Sequence, residues 1–132
     1  MEGRLLWMLI GALGLTACYK STVSPDECKN EPTSQYLSND GKWKSITFLR
    51  QCGDGATEFQ VSVLPTTASL SNEPGNAFRQ DGTAQGHHHM QQLWKSPHEL
   101  WISHDPDMKV AYAASTVSTV TVVHTDKDIL EH

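Results

Sequence analysis

The amino-acid sequence predicts an all-β fold, either a small antiparallel sheet, a sandwich or a partly open barrel of about six strands. Residues 59–63 alternate apolar and polar side chains with a period of two. Residues 117–124 are rich in β-branched side chains, which favour strands over helices. No segment keeps the 3.6-residue periodicity of an amphipathic helix.

Length and composition indicate a single globular domain. The chain has 132 residues, 38% of them hydrophobic, and a formal net charge of −5. Its isoelectric point near 5.7 argues against a nucleic-acid-binding protein. A charged fraction of 19% is too small for a disordered acidic tail, and the length is too short for a multidomain enzyme.

The N-terminal residues predict an exported lipoprotein. Arg4 precedes an uncharged apolar run over residues 5–15, which suits a signal peptide and is shorter than the roughly 20 residues of a transmembrane helix. Residues 15–18, Leu-Thr-Ala-Cys, resemble the bacterial lipobox. This resemblance implies that residues 1–17 are removed and that Cys18 carries acyl chains, which anchor the protein to a membrane. The alternative is an ordinary secretory signal peptide with an incidental cysteine.

The residue after the lipidated cysteine is Tyr19, whereas Asp at this position retains lipoproteins in the inner membrane. The resemblance therefore implies an outer-membrane location, with the domain facing the periplasm.

Two further cysteines, Cys28 and Cys52, are expected to form a disulfide in this oxidising compartment. In the chain-entropy model such a bridge stabilises a small domain by about 3 kcal/mol. The alternatives are free thiols or a metal site, which the absence of Cys-x-x-Cys spacing disfavours.

Residues 18–35 are polar and include two prolines, so we predict a tether without strands or helices, followed by a β domain over residues 36–129. Asp40 and Gly41 predict a hairpin turn before a strand that begins at Trp43. A turn at residues 52–55 and the strand at residues 59–63 follow, and Pro65 ends that strand.

The second half of the chain predicts a long loop and further strands. Residues 66–86 form the loop, with one short strand near Phe78. A hairpin follows, with its turn at residues 95–98, then a corner at residues 105–107. Brief pairing is expected at residues 110–114 and one strand at residues 117–124. Residues 130–132 look like the start of an expression tag, so no function is assigned to them.

A series of short motifs occurs in a fixed order within residues 28–104. They are Cys28, residues 39–43 (Asn-Asp-Gly-Lys-Trp), 50–53 (Arg-Gln-Cys-Gly), 60–65 (Gln-Val-Ser-Val-Leu-Pro), 75–78 (Gly-Asn-Ala-Phe), 93–94 (Leu-Trp) and 100–102 (Leu-Trp-Ile). This order resembles a family of small uncharacterised bacterial exported proteins and lipoproteins. The resemblance supports the cysteine pair and the β architecture and carries over no activity. The chain departs from the family pattern at Asn39, where proline is usual, and in its histidine-rich segment.

That segment, residues 87–90 (His-His-His-Met), has metal-ligand character, because imidazole and thioether groups suit copper, nickel or zinc. Along a strand, His87 and His89 share one face about 6.6 Å apart. If Lys95 pairs with Leu100, then Gln91 faces His104, which places His104 diagonal to His89. The candidate site is therefore His87, His89 and His104, with a solvated polar strand start as the alternative.

Catalytic motifs are absent from the sequence. It has no nucleophile elbow, no His-Glu-x-x-His and no glycine-rich loop before a helix, and Asp105 and Asp107 flank a proline in a predicted turn. We therefore expect no enzyme and no cofactor.

Trp94 and Trp101 flank one hairpin, and an outward-facing tryptophan is a common anchor for a partner. The sequence therefore predicts a noncatalytic binding lipoprotein, with an inhibitor or immunity role within that class. Its partners are the membrane, through the lipid, and a protein or other envelope component. The alternative is a periplasmic lipoprotein that binds copper or zinc through residues 87–90.

Overall fold

The computed structural model describes residues 27–82 and 90–130, and within them the chain forms β-strands and no α-helix, as predicted. A helix long and apolar enough to span a membrane is absent from this described part. The strands are β1 (Cys28–Leu37), β2 (Trp43–Cys52), β3 (Thr57–Pro65), β4 (Phe78–Gln80), β5 (Met90–Ser96), β6 (Glu99–His104), β7 (Val110–Ala113), β8 (Thr116–Val117) and β9 (Val120–Thr125).

The strands form two sheets, and neither closes into a barrel within the described residues. The first sheet has the order β1-β2-β3-β4-β7 and the second the order β5-β6-β9-β8. All neighbouring strands are antiparallel except β6 and β9, which are parallel. This pair departs from the expected antiparallel pattern because the chain leaves β6, adds β7 to the first sheet, and only then returns to the second sheet.

The first strand begins earlier than the sequence indicated. The predicted tether extended to Gln35, whereas β1 starts at Cys28 and pairs with β2 as far as Leu37. Composition misled here because a ladder of backbone hydrogen bonds does not require apolar side chains, and β1 is an edge strand whose residues are mostly exposed. The ordered domain therefore includes residues 28–35.

The predicted disulfide is present. Cys28 lies directly opposite Cys52 in the β1–β2 ladder, and the two sulfur atoms are bonded across a sequence separation of 24. The bridge joins the start of β1 to the end of β2, so it fixes the register of this edge strand.

The two sheets share one hydrophobic core. Across it, the Gln92 side-chain amide hydrogen-bonds to the Thr47 hydroxyl, and the Trp94 Nε1–H donates to the Tyr36 carbonyl at 3.2 Å. The buried apolar core residues come from both sheets and their loops: Val61, Val63, Ala77, Phe78, Trp94, Leu100, Ile102, Met108, Val120 and Val122.

The loop after β3 leads into β4, the short strand expected near Phe78. Asn30 donates through its side-chain amide to the carbonyls of Ser71 and Glu73, at 2.9 and 2.8 Å. Gly75 packs so closely on β3 that a Cβ there would lie 2.7 Å from the Val61 carbonyl oxygen. These contacts hold the loop against the first sheet.

The β-branched stretch forms two strands, not the one predicted over residues 117–124. β8 and β9 pair as a hairpin, with Val117 opposite Val120. Ser118 in the turn has φ 54°, a left-handed conformation that serine adopts less readily than glycine or asparagine. The stretch contains neither of those turn residues, so local sequence did not mark the break.

Candidate functional site

The outward face of the second sheet carries a partly exposed apolar row. Leu93 lies opposite Trp101, and Trp101 lies beside Val123 in the parallel pair, so the three side chains cross β5, β6 and β9. All three are half-buried. Lys95 and Glu99 flank the row on the same face, and we call these five residues the Trp101 surface.

The Trp101 ring is held by two polar neighbours. Its Nε1–H donates to Glu99 Oε2 at 2.6 Å, and the Lys95 ammonium nitrogen lies 4.8 Å from the ring centroid. A cation over an aromatic face is attracted by the ring quadrupole. Contacts within the domain therefore fix the orientation of the ring, and a side chain that is already oriented loses less entropy in any contact it makes.

The C-terminal segment borders this surface. The buried Ser103 hydroxyl donates to the Lys127 carbonyl at 2.6 Å, and the Ile129 N–H donates to Gln91 Oε1 at 3.0 Å. Since Gln91 and Ser103 are cross-strand partners, both bonds fasten the segment to one end of the outward face. The row around Trp101 stays half-exposed beside it.

The two predicted partner-contacting tryptophans lie on opposite faces. Trp94 is only 8% exposed and belongs to the core, so it does not contribute to an outward-facing contact surface. The predicted register would have placed it directly opposite Trp101. Instead Trp94 pairs with Leu100, and Leu93 pairs with Trp101.

A bulge explains this difference in register. The pair Ser96–Glu99 next to the turn agrees with the predicted alignment, but the register shifts between Trp94 and Ser96. Lys95 is thus an extra residue on β5, and every pair beyond it moves by one position. A bulge depends on the local twist of the hairpin, and no residue type in this segment indicated its position.

The same shift changes the predicted metal site. His104 lies opposite Met90 and not opposite Gln91, so the register on which the site depended is wrong. His87 and His89 lie outside the described residues. Within residues 27–82 and 90–130, no group of three or more His, Cys, Asp or Glu side chains could hold a metal ion.

His104 instead lies on the inward face, near His124, which no sequence motif had marked. His124 lies on β9 in register with Ile102, two residues before His104 on the neighbouring strand. Phe78, from the facing sheet, stacks with both imidazoles, at centroid distances of 5.4 Å to His104 and 6.1 Å to His124. The period-two spacing from Val122 could have placed His124 inward, but only the pairing of β6 with β9 brings the two histidines together.

Each of these histidines hydrogen-bonds to a backbone carbonyl. His104 Nδ1 lies 2.9 Å from the Asp105 oxygen, and His124 Nε2 lies 2.7 Å from the Ala114 oxygen. Burial lowers the pKa of His124, the hydrogen bond to Ala114 opposes this shift, and the nearby His104 adds to it. His124 is therefore held neutral below the pH at which a free histidine gains a proton.

Other polar groups have structural roles. Arg50 donates to Asn30 Oδ1 at 2.9 Å, and burial lowers its pKa, an effect that Glu73 opposes. Arg79 donates to the Gly75 carbonyl at 2.7 Å and lies 4.4 Å from the Tyr112 ring centroid. These contacts connect the loop and the strands of the first sheet.

Two open grooves flank β1, with volumes of about 400 and 520 Å³. The larger one is lined by Lys29, Asn30, Glu31, Pro32, Leu49, Gln51 and Thr57.

The predicted corner at residues 105–107 is a turn, in which the Met108 N–H donates to the Asp105 carbonyl at 3.1 Å. Asp105 and Asp107 therefore occupy the turn positions expected of them.

Comparison with protein-family models, with curated proteins and with solved structures found no significant match to this chain.

Proposed function

We propose that this chain is a noncatalytic binding lipoprotein of the bacterial envelope, whose β domain contacts a protein partner through the Trp101 surface. The observation that carries the proposal is a half-exposed tryptophan on a rigid strand, oriented by Glu99 and Lys95. Tryptophans in such settings supply a large share of binding energy at protein interfaces. An inhibitor or immunity role lies within this class.

The chemistry of the surface indicates the kind of partner. Leu93, Trp101 and Val123 offer an apolar centre, while Lys95 and Glu99 place one charge of each sign at its border. A complementary surface has an apolar side chain that packs on the indole and a polar rim with both acceptors and donors. Charged polymers of a single sign fit this mixed border less well.

The proposed location depends on the N-terminal sequence. The Leu-Thr-Ala-Cys motif ending at Cys18 supports a lipid anchor, and Tyr19 supports the outer membrane. The Cys28–Cys52 disulfide is consistent with an oxidising compartment. Cys18→Ser should therefore release the protein from the membrane fraction into the soluble periplasmic fraction, and a variant that stays membrane-bound would contradict lipidation at Cys18.

Site-specific photocrosslinking in cells tests the partner contact. Thr121 is exposed beside Glu99 on the outward face, so a photoreactive amino acid there should crosslink to a partner that uses the Trp101 surface. The same amino acid at Leu37, exposed on the first sheet, is the matched control. We expect a discrete adduct from position 121 that is absent from position 37.

A second variant ties the adduct to the indole. Trp101→Ala should abolish the adduct from position 121 while the protein remains folded, as judged by its thermal unfolding. Equal adducts from both positions, or an adduct that survives Trp101→Ala, would contradict the proposal.

A further inference from the structure

Beyond the partner contact, the inward face of the second sheet brings together three side chains with metal-ligating atoms. His104 and His124 lie on neighbouring parallel strands, and Met90 lies directly opposite His104 on β5. Directly opposed residues have Cβ atoms about 4.5–5.5 Å apart. All three residues are half-buried at the border of the core.

The hydrogen bonds of the two imidazoles determine which nitrogen atoms remain. A carbonyl oxygen only accepts, so His104 carries its hydrogen on Nδ1 and His124 carries its hydrogen on Nε2. In the neutral rings, His104 Nε2 and His124 Nδ1 then have lone pairs. His124 Nδ1 is buried and has no hydrogen-bond partner among the described residues.

This arrangement is characteristic of metal-binding histidines. A ligating imidazole commonly donates its second ring N–H to a carbonyl or carboxylate, which fixes the tautomer and the ring orientation. Here the Asp105 carbonyl accepts from His104 and the Ala114 carbonyl accepts from His124. Phe78 packs against both imidazole rings from the facing sheet. A buried nitrogen without a partner is otherwise unfavourable.

The donor set selects the metal. Thioether sulfur with imidazole nitrogen suits Cu⁺, a soft ion of low charge, better than ions that need carboxylate ligands. The apolar surroundings, with Phe78 and Met108 buried nearby in the core, also favour a monovalent over a divalent cation.

We propose that His104 Nε2, His124 Nδ1 and the Met90 thioether form a three-coordinate site for Cu⁺. The site uses no residue of the segment 87–89 and lies on the opposite face of the sheet from Trp101. It is therefore independent of the proposed function, and each proposal can fail without the other.

Titration of the full-length chain in detergent, purified without a polyhistidine tag, tests the site. Cu⁺ is kept reduced by ascorbate and competes against bicinchoninate, so that stoichiometry and affinity are both measured. We expect one equivalent of tightly bound Cu⁺. His104→Gln and His124→Gln should each lower the affinity at least about tenfold, while His98→Gln, at the exposed hairpin turn, should leave it unchanged.

Two further variants separate this site from other metal-binding histidines. Met90→Leu should weaken Cu⁺ binding more than Zn²⁺ binding, because only the soft ion gains from the thioether. The triple variant His87→Gln, His88→Gln and His89→Gln should keep the Cu⁺ site. Loss of binding in the triple variant with retention in both single variants would overturn the proposal, as would no binding by the unchanged chain.

Nuclear magnetic resonance of the unchanged chain keeps the test decisive even if a variant unfolds. Imidazole ¹⁵N resonances should shift on Cu⁺ addition at His104 Nε2 and His124 Nδ1, while the nitrogens bonded to the carbonyls keep their hydrogens. Shifts confined to His98 or to residues 87–89 would overturn the assignment.

Discussion

The two faces of the second sheet are built from the same strands but differ in how deeply their side chains are buried. On the inward face Trp94 is 8% exposed, and Leu100 and Ile102 are fully buried. On the outward face Leu93 and Trp101 stay half-exposed. Since strand propensity is shared, the difference comes from what covers each face: the first sheet covers one, and residues 126–130 only border the other.

A single backbone irregularity determines which face of the sheet each of the two tryptophans occupies. In an unbroken hairpin of the predicted register, Trp94 and Trp101 would be direct partners on one face. The bulge at Lys95 places one in the core and leaves the other toward solvent.

The sharpest test of this division is truncation of each tryptophan. Trp94→Ala removes a core side chain and should lower the free energy of unfolding by about 3–5 kcal/mol. Trp101→Ala removes a half-exposed side chain and should cost clearly less. Chemical denaturation of both variants measures the difference, and equal losses would contradict the assignment of the two faces.

Removing the disulfide tests whether the buried and exposed faces of the second sheet form independently of the first sheet. Replacing Cys28 and Cys52 together by Ser should lower the stability by about 3 kcal/mol, because the unfolded chain loses its constraint. The bridge lies in the first sheet, so the photocrosslink from position 121 should persist in the folded fraction. If the variant without the disulfide is fully folded and the crosslink is lost, the Trp101 surface depends on β1.

Removing the bulge is a smaller change. Deletion of Lys95 leaves Ser96–Glu99 and Trp94–Leu100 as successive pairs, so both faces keep their residues. The expected loss is the cation–π contact, about 0.5–1 kcal/mol. Deletion of Leu93 is the control, since it moves residues 90–92 to opposite faces and should unfold the domain; similar melting temperatures for both deletions would argue against the bulge.

The smallest expected effect is a pH dependence of the free energy of unfolding, which arises from His124 on the inward face. The pKa of His124 is lowered in the folded protein from its ordinary value of 6.5, so below about pH 6.5 the unfolded chain binds a proton that the folded chain resists. Stability should therefore fall as the pH drops below that value and level off below the folded pKa. His104 faces the same region and opposes a charge on His124.

Urea denaturation at several pH values measures this effect. His124→Gln should flatten the profile between pH 7 and 5 relative to the unchanged chain, with His98→Gln as the exposed control. A slope in this range that is unchanged by His124→Gln would assign the effect to another group.

Local signals predicted those parts of the fold that depend on neighbouring residues. Asp40 and Gly41 predicted a turn because glycine adopts a positive φ at little cost. Gly41 indeed has φ 74°. Pro65 marked the end of β3, and the alternation around Val61 marked its buried face. Cys28 and Cys52 were expected to pair, and they do.

Other features had no local signal. The polar segment from Cys28 to Gln35 is a strand only because β2 offers it hydrogen bonds. The turn at Ser118 divides a stretch that is β-branched on both sides. The expected pair of His104 with Gln91 was inferred from a hairpin register without the bulge, whereas His104 pairs with Met90.

The all-β class and the positions of most turns could be predicted from the sequence, because they follow from backbone conformations and side-chain periodicity over a few residues, and the number of cysteines predicted the Cys28–Cys52 pair. Three features emerged only on folding: β6 and β9 run parallel, Trp94 is buried while Trp101 faces outward, and His104 lies near His124. These outcomes depend on which strand edges meet and in what register, and pairing across many residues is a property of the whole packed chain.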